Sequence, residues 1–342
     1  MIQQINKPKI NFFATPIVIL IIIFFLALMN VILGFYIIHL VSQNAILSNT
    51  LKAESSKQQF SLLSPTIAWL SVEEFIKQQK IMTVSLSELK PKILLISTTG
   101  VNGTYGVYLE DLTTGAWLGI NEKDRFVPAS LLKLPVMIAV LKKIENNELS
   151  IDQKVIINAS DINLESGTLG FRGAGYEISV RNLLKIMINE SDNTAYLTFV
   201  KRLIASDDLT KVALAMGFLS IEQDNRISPR DYSNMLRSLY YSTFLKRQFS
   251  ELGLSLMLET EFTSQIPSGV PSNISVSHKV GMFKVGGYYH DCGIVYLPNK
   301  PYILCVMSVN STQEESNRVI SSISKEVFAY MNQKLEADTN TN

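Results

Sequence analysis

The sequence predicts an α+β domain carried behind one membrane-spanning helix. Three observations predict it. Phe12 to Val41 is one long apolar run, and no Asp, Glu, Lys or Arg occurs from Asn11 to Leu51. Strand-like segments rich in Val, Ile and Tyr stand at both ends of the remaining chain, around 104–120 and 276–309. Helical periodicity fills the middle and closes the chain. Strands from both ends with helices between them give an antiparallel sheet built from the two ends of the domain, rather than an alternating βαβ order.

Composition removes several classes. The chain has 342 residues, with 31 Lys+Arg against 30 Asp+Glu, 2 Cys and 3 His. Lys7 and Lys9 are the only charges before Lys52, so the remainder carries 29 basic and 30 acidic groups, a net of −1. Nucleic-acid binding needs a basic footprint to displace counterions, and none is present. Two Cys cannot form an all-cysteine zinc site, and three His without H-E-x-x-H leave no zinc-hydrolase pattern. No metal and no cofactor is implied. At 47% hydrophobic and 18% charged, the chain is expected to fold.

From the N-terminus, thirty helical residues from 12 to 41 would rise about 45 Å, more than the roughly 30 Å of hydrocarbon in a bilayer. The run is too long for a cleaved signal peptide and no A-x-A site comes after it, so residues 12–41 read as a retained signal anchor. Lys7 and Lys9 precede it, which puts residues 1–11 in the cytoplasm and the bulk of the chain outside the cell membrane, extracellular or periplasmic. Residues 42–84 read as a polar stalk. The folded domain is expected over 85–336, with a disordered tail over 337–342. Within it, Ser85–Leu95 reads as a short helix. Thr104–Leu112 alternates like a strand, the turn Thr113-Thr114-Gly115 comes next, and Trp117–Ile120 completes a hairpin. Late strands are expected at Val276–Val280, Cys292–Tyr296 and Tyr302–Val309. In Ser316–Lys334, Val319, Ile320, Ile323, Val327 and Tyr330 mark one helical face.

The chemistry concentrates at Val127-Pro128-Ala129-Ser130-Leu131-Leu132-Lys133, which leads into an apolar helix. Ser130 and Lys133 are three apart and share a helix face. A neutral lysine amine there can take the serine proton and make a nucleophile, and apolar burial would help by depressing its pKa. S-x-x-K is a weak signal alone, since Ser87…Lys90 and Ser322…Lys325 match it too. Only Ser130 opens a strongly apolar helix and has suitable company downstream. That company is Ser191-Asp192-Asn193, which also reads as a polar cap before a helix, and Lys279-Val280-Gly281. There the lysine places a cation near the acyl site, and the glycine lets a substrate approach the strand edge. A second copy, Lys284-Val285-Gly286, stands five residues later, an odd offset that puts it on the opposite strand face.

S-x-x-K, S-D-N and K-x-G in this order are the set of class A β-lactamases and penicillin-binding proteins. The segments YGVYLEDLTTGAWLGINEKDRFVPASLLKLPVMIAVLKK, GYEISVRNLLKIMINESDNTA and HDCGIVY also resemble that family, over roughly residues 85–336. The resemblance implies a β-lactamase/transpeptidase-like fold, with a sheet subdomain packed against an all-helical subdomain and the site between them. It implies Ser130 as the acylated nucleophile and Lys133 as its base or proton relay. Ser191 would relay a proton to the leaving nitrogen, Asn193 would bind the substrate amide, and Lys279 would attract the substrate carboxylate. The backbone N–H groups of Ser130 and Met282, just past Gly281, would bind the oxyanion.

Two departures stand out. Val280 occupies the position where the family usually has Thr or Ser. The stretch between Ser191 and Pro229 is short and lacks the family's E-x-x-L-N, whose Glu activates the deacylating water. Glu222 is the nearest substitute and Asp224 another, though solvated loop carboxylates fit both equally. His278 and His290 either line the site or make local strand hydrogen bonds. Cys292 and Cys305 are either bridged or buried thiols, depending on register. Arg125, Arg172 and Arg226 are candidates to face a substrate carboxylate. The expected activity is a membrane-anchored serine hydrolase opening β-lactam-type amides. Its competitors are a D,D-peptidase acting on peptidoglycan stem peptides and a non-turnover penicillin-binding or wall-sensing module.

Overall fold

The computed structural model describes residues 29, 34, 39, 60–64, 86–217 and 224–339. The expected anchor, apart from Met29, Gly34 and His39, and most of the stalk therefore lie outside the described residues. No helix among the described residues is long and apolar enough to cross a membrane.

A helix over 86–98, α1, leads into the hairpin β1 (Thr104–Asp111) and β2 (Trp117–Ile120). The helix α2 (Lys133–Glu145) comes next. A small second hairpin pairs β3 (Lys154–Ile156) with β4 (Glu177–Ser179). The helices α3 (Val180–Asn189), α4 (Asn193–Thr198), α5 (Ser206–Met216), α6 (Pro229–Tyr241) and α7 (Arg247–Leu258) make the helical part. The strands β5 (Val276–Phe283), β6 (Tyr288–Val295) and β7 (Tyr302–Val309) and the helix α8 (Gln313–Thr339) close the chain.

Five strands form one antiparallel sheet in the order β2-β1-β7-β6-β5. The first hairpin and the last three strands thus meet at β1 and β7, as two-ended strand patterning predicts. Both faces are covered, which explains why β7 is apolar at nearly every position. Tyr302, Leu304 and Val306 join Leu89 and Ile93 of α1 and Val319, Ile320, Ile323 and Val327 of α8. Ile303, Cys305 and Met307 join the helical part on the other face. A strand buried on two sides loses the polar half of its alternation. α2 runs through the centre of the helical part, buried continuously from Lys133 to Leu141, so it is apolar all round rather than striped.

Several expectations need correction. α1 runs to 98, past Leu95, and α8 runs to Thr339, through the first part of the expected tail. β5 continues to Phe283 and β6 begins at Tyr288, so Lys284 sits in the connecting turn rather than on either strand face. Gly286 and Gly287 make that turn with φ of +86° and +62°. Residues 60–64 are not free stalk. Leu62 and Leu63 are buried in the helical core, and the Ser64 N–H donates to Tyr240 O at 2.9 Å. Glu251 accepts the backbone N–H groups of Ser61 and Leu62, and the Arg247 guanidinium covers the Phe60 ring. Cys292 and Cys305 face each other on β6 and β7 and are bridged.

Candidate active site

Ser130 lies in a 3-10 turn, Ala129–Leu132, and Lys133 is the first residue of α2. The nucleophile candidate therefore precedes the α-helix rather than opening it. Ala129 has φ of +50°, a left-handed conformation that a residue with a Cβ adopts only when its surroundings enforce it. Here Phe126 and Ile227 form a β-bridge, His290 Nε2 donates to Val127 O at 2.8 Å, and β5 packs on the turn at Gly281. A Cβ on Gly281 would lie 2.7 Å from Pro128 O and 2.9 Å from Leu131 Cγ. Packing of the strand on the nucleophile turn is thus by itself a reason for the glycine of K-x-G.

Lys133 is 2% exposed, and its Nζ makes three hydrogen bonds: to Ser130 Oγ at 2.8 Å, Asn193 Oδ1 at 2.8 Å and Ser191 Oγ at 3.2 Å. An ammonium has three donors and no acceptor, so the contacts saturate it. The neutral amine has two donors and one lone pair, which the 2.8 Å contact would aim at the Ser130 proton. Burial pushes the Lys133 amine down to about 8, against a weak opposing pull from Asp192. Lys279 reaches the Ser191 hydroxyl from β5, its Nζ 3.0 Å from Ser191 Oγ. It is fully buried, and burial together with the nearby Lys133 charge holds its amine well below the usual lysine value. One serine hydroxyl thus bridges two amines, a connected path for a proton.

Ser191 reaches this position because its backbone is left-handed, φ +57°. Asp192 enforces the bend. It caps α4 by accepting the Ala195 N–H at 2.7 Å, and its other oxygen accepts the Leu169 N–H at 2.8 Å. Ser166 Oγ donates to Ser191 O, and Gly167 leaves the room that the Asp192 side chain fills. Desolvation raises the Asp192 carboxyl above its ordinary value despite these N–H donors. The capping reading of S-D-N therefore holds for Asp192, while Ser191 and Asn193 turn their side chains to Lys133.

The structure brings Ser130, Lys133, Ser191, Asn193 and Lys279 into one hydrogen-bonded cluster. Gly281 and Met282 lie just beyond Lys279 on the edge strand β5, with the Met282 side chain exposed. Glu222 lies outside the described residues. Asp224 is ion-paired with Arg125 and also accepts the Arg226 N–H. The three arginines have other partners: Arg125 pairs with Asp224, Arg226 donates to the Arg125 carbonyl, and Arg172 lies against the Tyr176 ring. His278 pairs with Asp291 in the core, Nδ1 to Oδ1 at 2.7 Å, on the sheet face opposite Lys279. His290 is pushed down to about 4 by burial, so it is neutral; it donates to Val127 O and accepts the Ser308 N–H. Sequence reasoning missed two aromatic neighbours. The Tyr196 ring lies against Lys133 and the Phe262 ring against Lys279. Tyr196 stands close enough to S-D-N to be suspected; Phe262 carries no local signal. Among the described residues no group of His, Cys, Asp or Glu is arranged to hold a metal.

The chain is similar in sequence to several β-lactamases. The chain is 25% identical to β-lactamase VEB-1 of Pseudomonas aeruginosa over 256 residues, covering 67% of this chain and 86% of that protein. It is 26% identical to a β-lactamase of Bacteroides uniformis over 278 residues, covering 72% and 92%. Among solved structures, PBP-A superposes with a TM-score of 0.67 at 23% identity, covering 72% of this chain and 97% of that one. The family model described as the β-lactamase enzyme family matches residues 88–331, more than half of the 342. With the α+β fold in common, the chain belongs to the β-lactamase enzyme family and is a serine hydrolase.

Proposed function

We propose that this chain is a membrane-anchored, outward-facing hydrolase that opens β-lactam-type amides through an acyl-Ser130 enzyme. The observation that carries the reading is the 2.8 Å contact from Lys133 Nζ to Ser130 Oγ, with Ser191 held between Lys133 and Lys279. Neutral Lys133 accepts the Ser130 proton as Oγ attacks the carbonyl carbon. The backbone N–H groups of Ser130 and Met282 receive the developing oxyanion. The C–N bond then breaks. Ser191 gives its proton to the leaving nitrogen and regains the one that Lys133 took from Ser130, which returns Lys133 to the neutral amine. Asn193 orients the acyl side chain through its amide, and Lys279 offers the substrate carboxylate a cation. Kinship with the two β-lactamases above supports the substrate class.

A second reading, a D,D-peptidase acting on peptidoglycan stem peptides, has its own support. Among the described residues no carboxylate is within ion-pair distance of Lys133, and Asp224 is engaged by Arg125. Among the described residues, then, no carboxylate stands ready as a base for the deacylating water, and on this reading an acyl-enzyme would persist. A variant of PBP-A has been captured as its acyl-enzyme complex with penicillin G. The uncharged run of 12–41 behind Lys7 and Lys9 supports anchoring, which would keep either activity near the cell wall.

An intact-mass time course of the full chain with penicillin G, beside Ser130→Ala, tests these readings. Penicillin consumed without a lasting adduct, only with Ser130 present, is the expected outcome for a β-lactamase. A stable adduct on the wild type alone selects the peptidase. Neither adduct nor consumption overturns both.

A further inference from the structure

Lys133 and Lys279 are buried amines with no carboxylate partner among the described residues; their hydrogen bonds all go to neutral oxygens. Each amine instead meets an aromatic ring. Lys133 Nζ lies 5.8 Å from the centroid of Tyr196 in α4, and Lys279 Nζ lies 5.6 Å from the centroid of Phe262, just after α7. A cation within about 6 Å of a ring centroid is drawn to its negative face, more strongly where water is scarce. We propose that Tyr196 is a positioning residue whose ring stands in for a counter-ion, steadying the Lys133 amine and favouring its charged form against burial. Phe262 plays the same part toward Lys279. The inference rests on the reading of Lys133 as the base for Ser130.

The remaining described groups around the two amines offer little opposite charge. Ser130, Ser191 and Asn193 offer Lys133 only neutral acceptors. Asp192 pulls weakly, its oxygens already engaged by the Ala195 and Leu169 N–H groups. Lys279 stands across Ser191, and the Lys133 charge helps to hold its amine down. Asp291 attracts Lys279 from the other face of the sheet, where it is bonded to His278 and to the Ile266 N–H. A carboxylate at hydrogen-bond distance would raise a lysine by about 1–3 pH units and lock the ammonium. A ring is a weaker partner: it holds the amine in register with Ser130 while leaving a usable neutral fraction near neutrality.

The test is a 13C titration of the Lys133 Cε resonance in the full chain, assigned by its loss in Lys133→Arg. Tyr196→Phe, which keeps the ring, should leave the midpoint in place. Tyr196→Leu, apolar without a ring, should lower it by roughly half to one pH unit. Progressive fluorination of a phenylalanine at 196 keeps the volume while draining the ring face, and should lower the midpoint stepwise; it serves if the leucine variant does not fold. The acid limb of Ser130 acylation should move with the midpoint. A midpoint that stays or rises in Tyr196→Leu overturns the proposal, as does an equal shift in Tyr196→Phe. So does a shift that appears in Glu222→Gln and not in Tyr196→Leu, which would make the carboxylate the partner. Absence of any acylation would defeat the base assignment instead, and the titration would still be readable.

Discussion

Gly281→Ala separates two explanations of the third motif. On the packing explanation the new methyl meets Pro128 O at 2.7 Å, about 0.7 Å short of an ordinary contact, and Leu131 Cγ at 2.9 Å. The turn cannot yield freely, because His290 holds Val127 and the Phe126–Ile227 bridge holds the segment before it. Ser130 and Lys133 share that segment and move together, whereas Ser191 and Lys279 belong to other elements. A displacement equal to that shortfall, about 0.7 Å, would open the 3.2 Å Lys133–Ser191 contact beyond hydrogen-bond length. Overpacking of this kind costs about 1–3 kcal/mol of stability. Misplacement of reacting groups by up to about 1 Å costs roughly 10- to 100-fold in rate.

Stopped-flow acylation by a chromogenic β-lactam distinguishes the cases. The acylation rate constant at saturating substrate should fall by roughly 10- to 100-fold while apparent substrate affinity changes little. If affinity weakens and the saturating rate holds, the methyl is obstructing substrate and the packing explanation is wrong. An unchanged rate and affinity would show that strand and turn have slack the contact distances deny.

Three further outcomes are expected. Lys133→Met should abolish acylation yet stabilise the fold at pH 7 by about 1–3 kcal/mol, because the buried amine is held down near 8. From that group, wild-type stability should rise with pH between about 8 and 10.5, where the unfolded chain is still protonated and the folded one is not. Urea unfolding of both proteins at pH 7 and pH 10 checks this, and a wild-type advantage at pH 7 would refute it. Leu63→Ala should cost about 2–3 kcal/mol by the same assay, since the side chain is 4% exposed in the helical core; a free stalk residue would cost nothing. Replacing Cys292 and Cys305 together by Ala should cost about 3 kcal/mol for a loop of 13 residues, measured against the oxidised wild type under non-reducing conditions.

The sheet and the candidate site were legible because their signals are local. The strand-like run Thr104–Asp111, the face of α8 and the triplets around Ser130, Ser191 and Lys279 are each read from neighbouring residues, although β1 is buried on both faces and does not alternate. The features that escaped depend on contacts between distant segments. Phe60–Ser64 is too short for any periodicity, and its burial comes from Tyr240, Arg247 and Glu251, far along the chain. β5 and β6 extend beyond the Val-, Ile- and Tyr-rich segments that mark them in the sequence, through Gly281, His290 and Asp291. Each is explained by a partner elsewhere: Pro128 for the glycine, Val127 for the histidine, and His278 with Ile266 for the aspartate. Phe262 was invisible for the same reason, as was the strand register that decides whether Cys292 meets Cys305.

The cluster also shows how such a site is held. Ser130 comes directly after a left-handed Ala129, and Ser191 is itself left-handed, conformations that cost of order 1–3 kcal/mol each for residues with a Cβ. Both are over-determined by buried contacts that have no chemical role of their own. His290 and Gly281 fix the first bend; Asp192, Ser166 and Gly167 fix the second. The two bends aim Ser130 and Ser191 at one amine from separate elements, and Lys279 completes the path from a third. Relaxing either bend would release local strain and separate the hydroxyls from Lys133. Substitutions at Asp192 or His290 should therefore impair acylation as severely as changes to residues that touch substrate, although neither group reaches the reacting atoms.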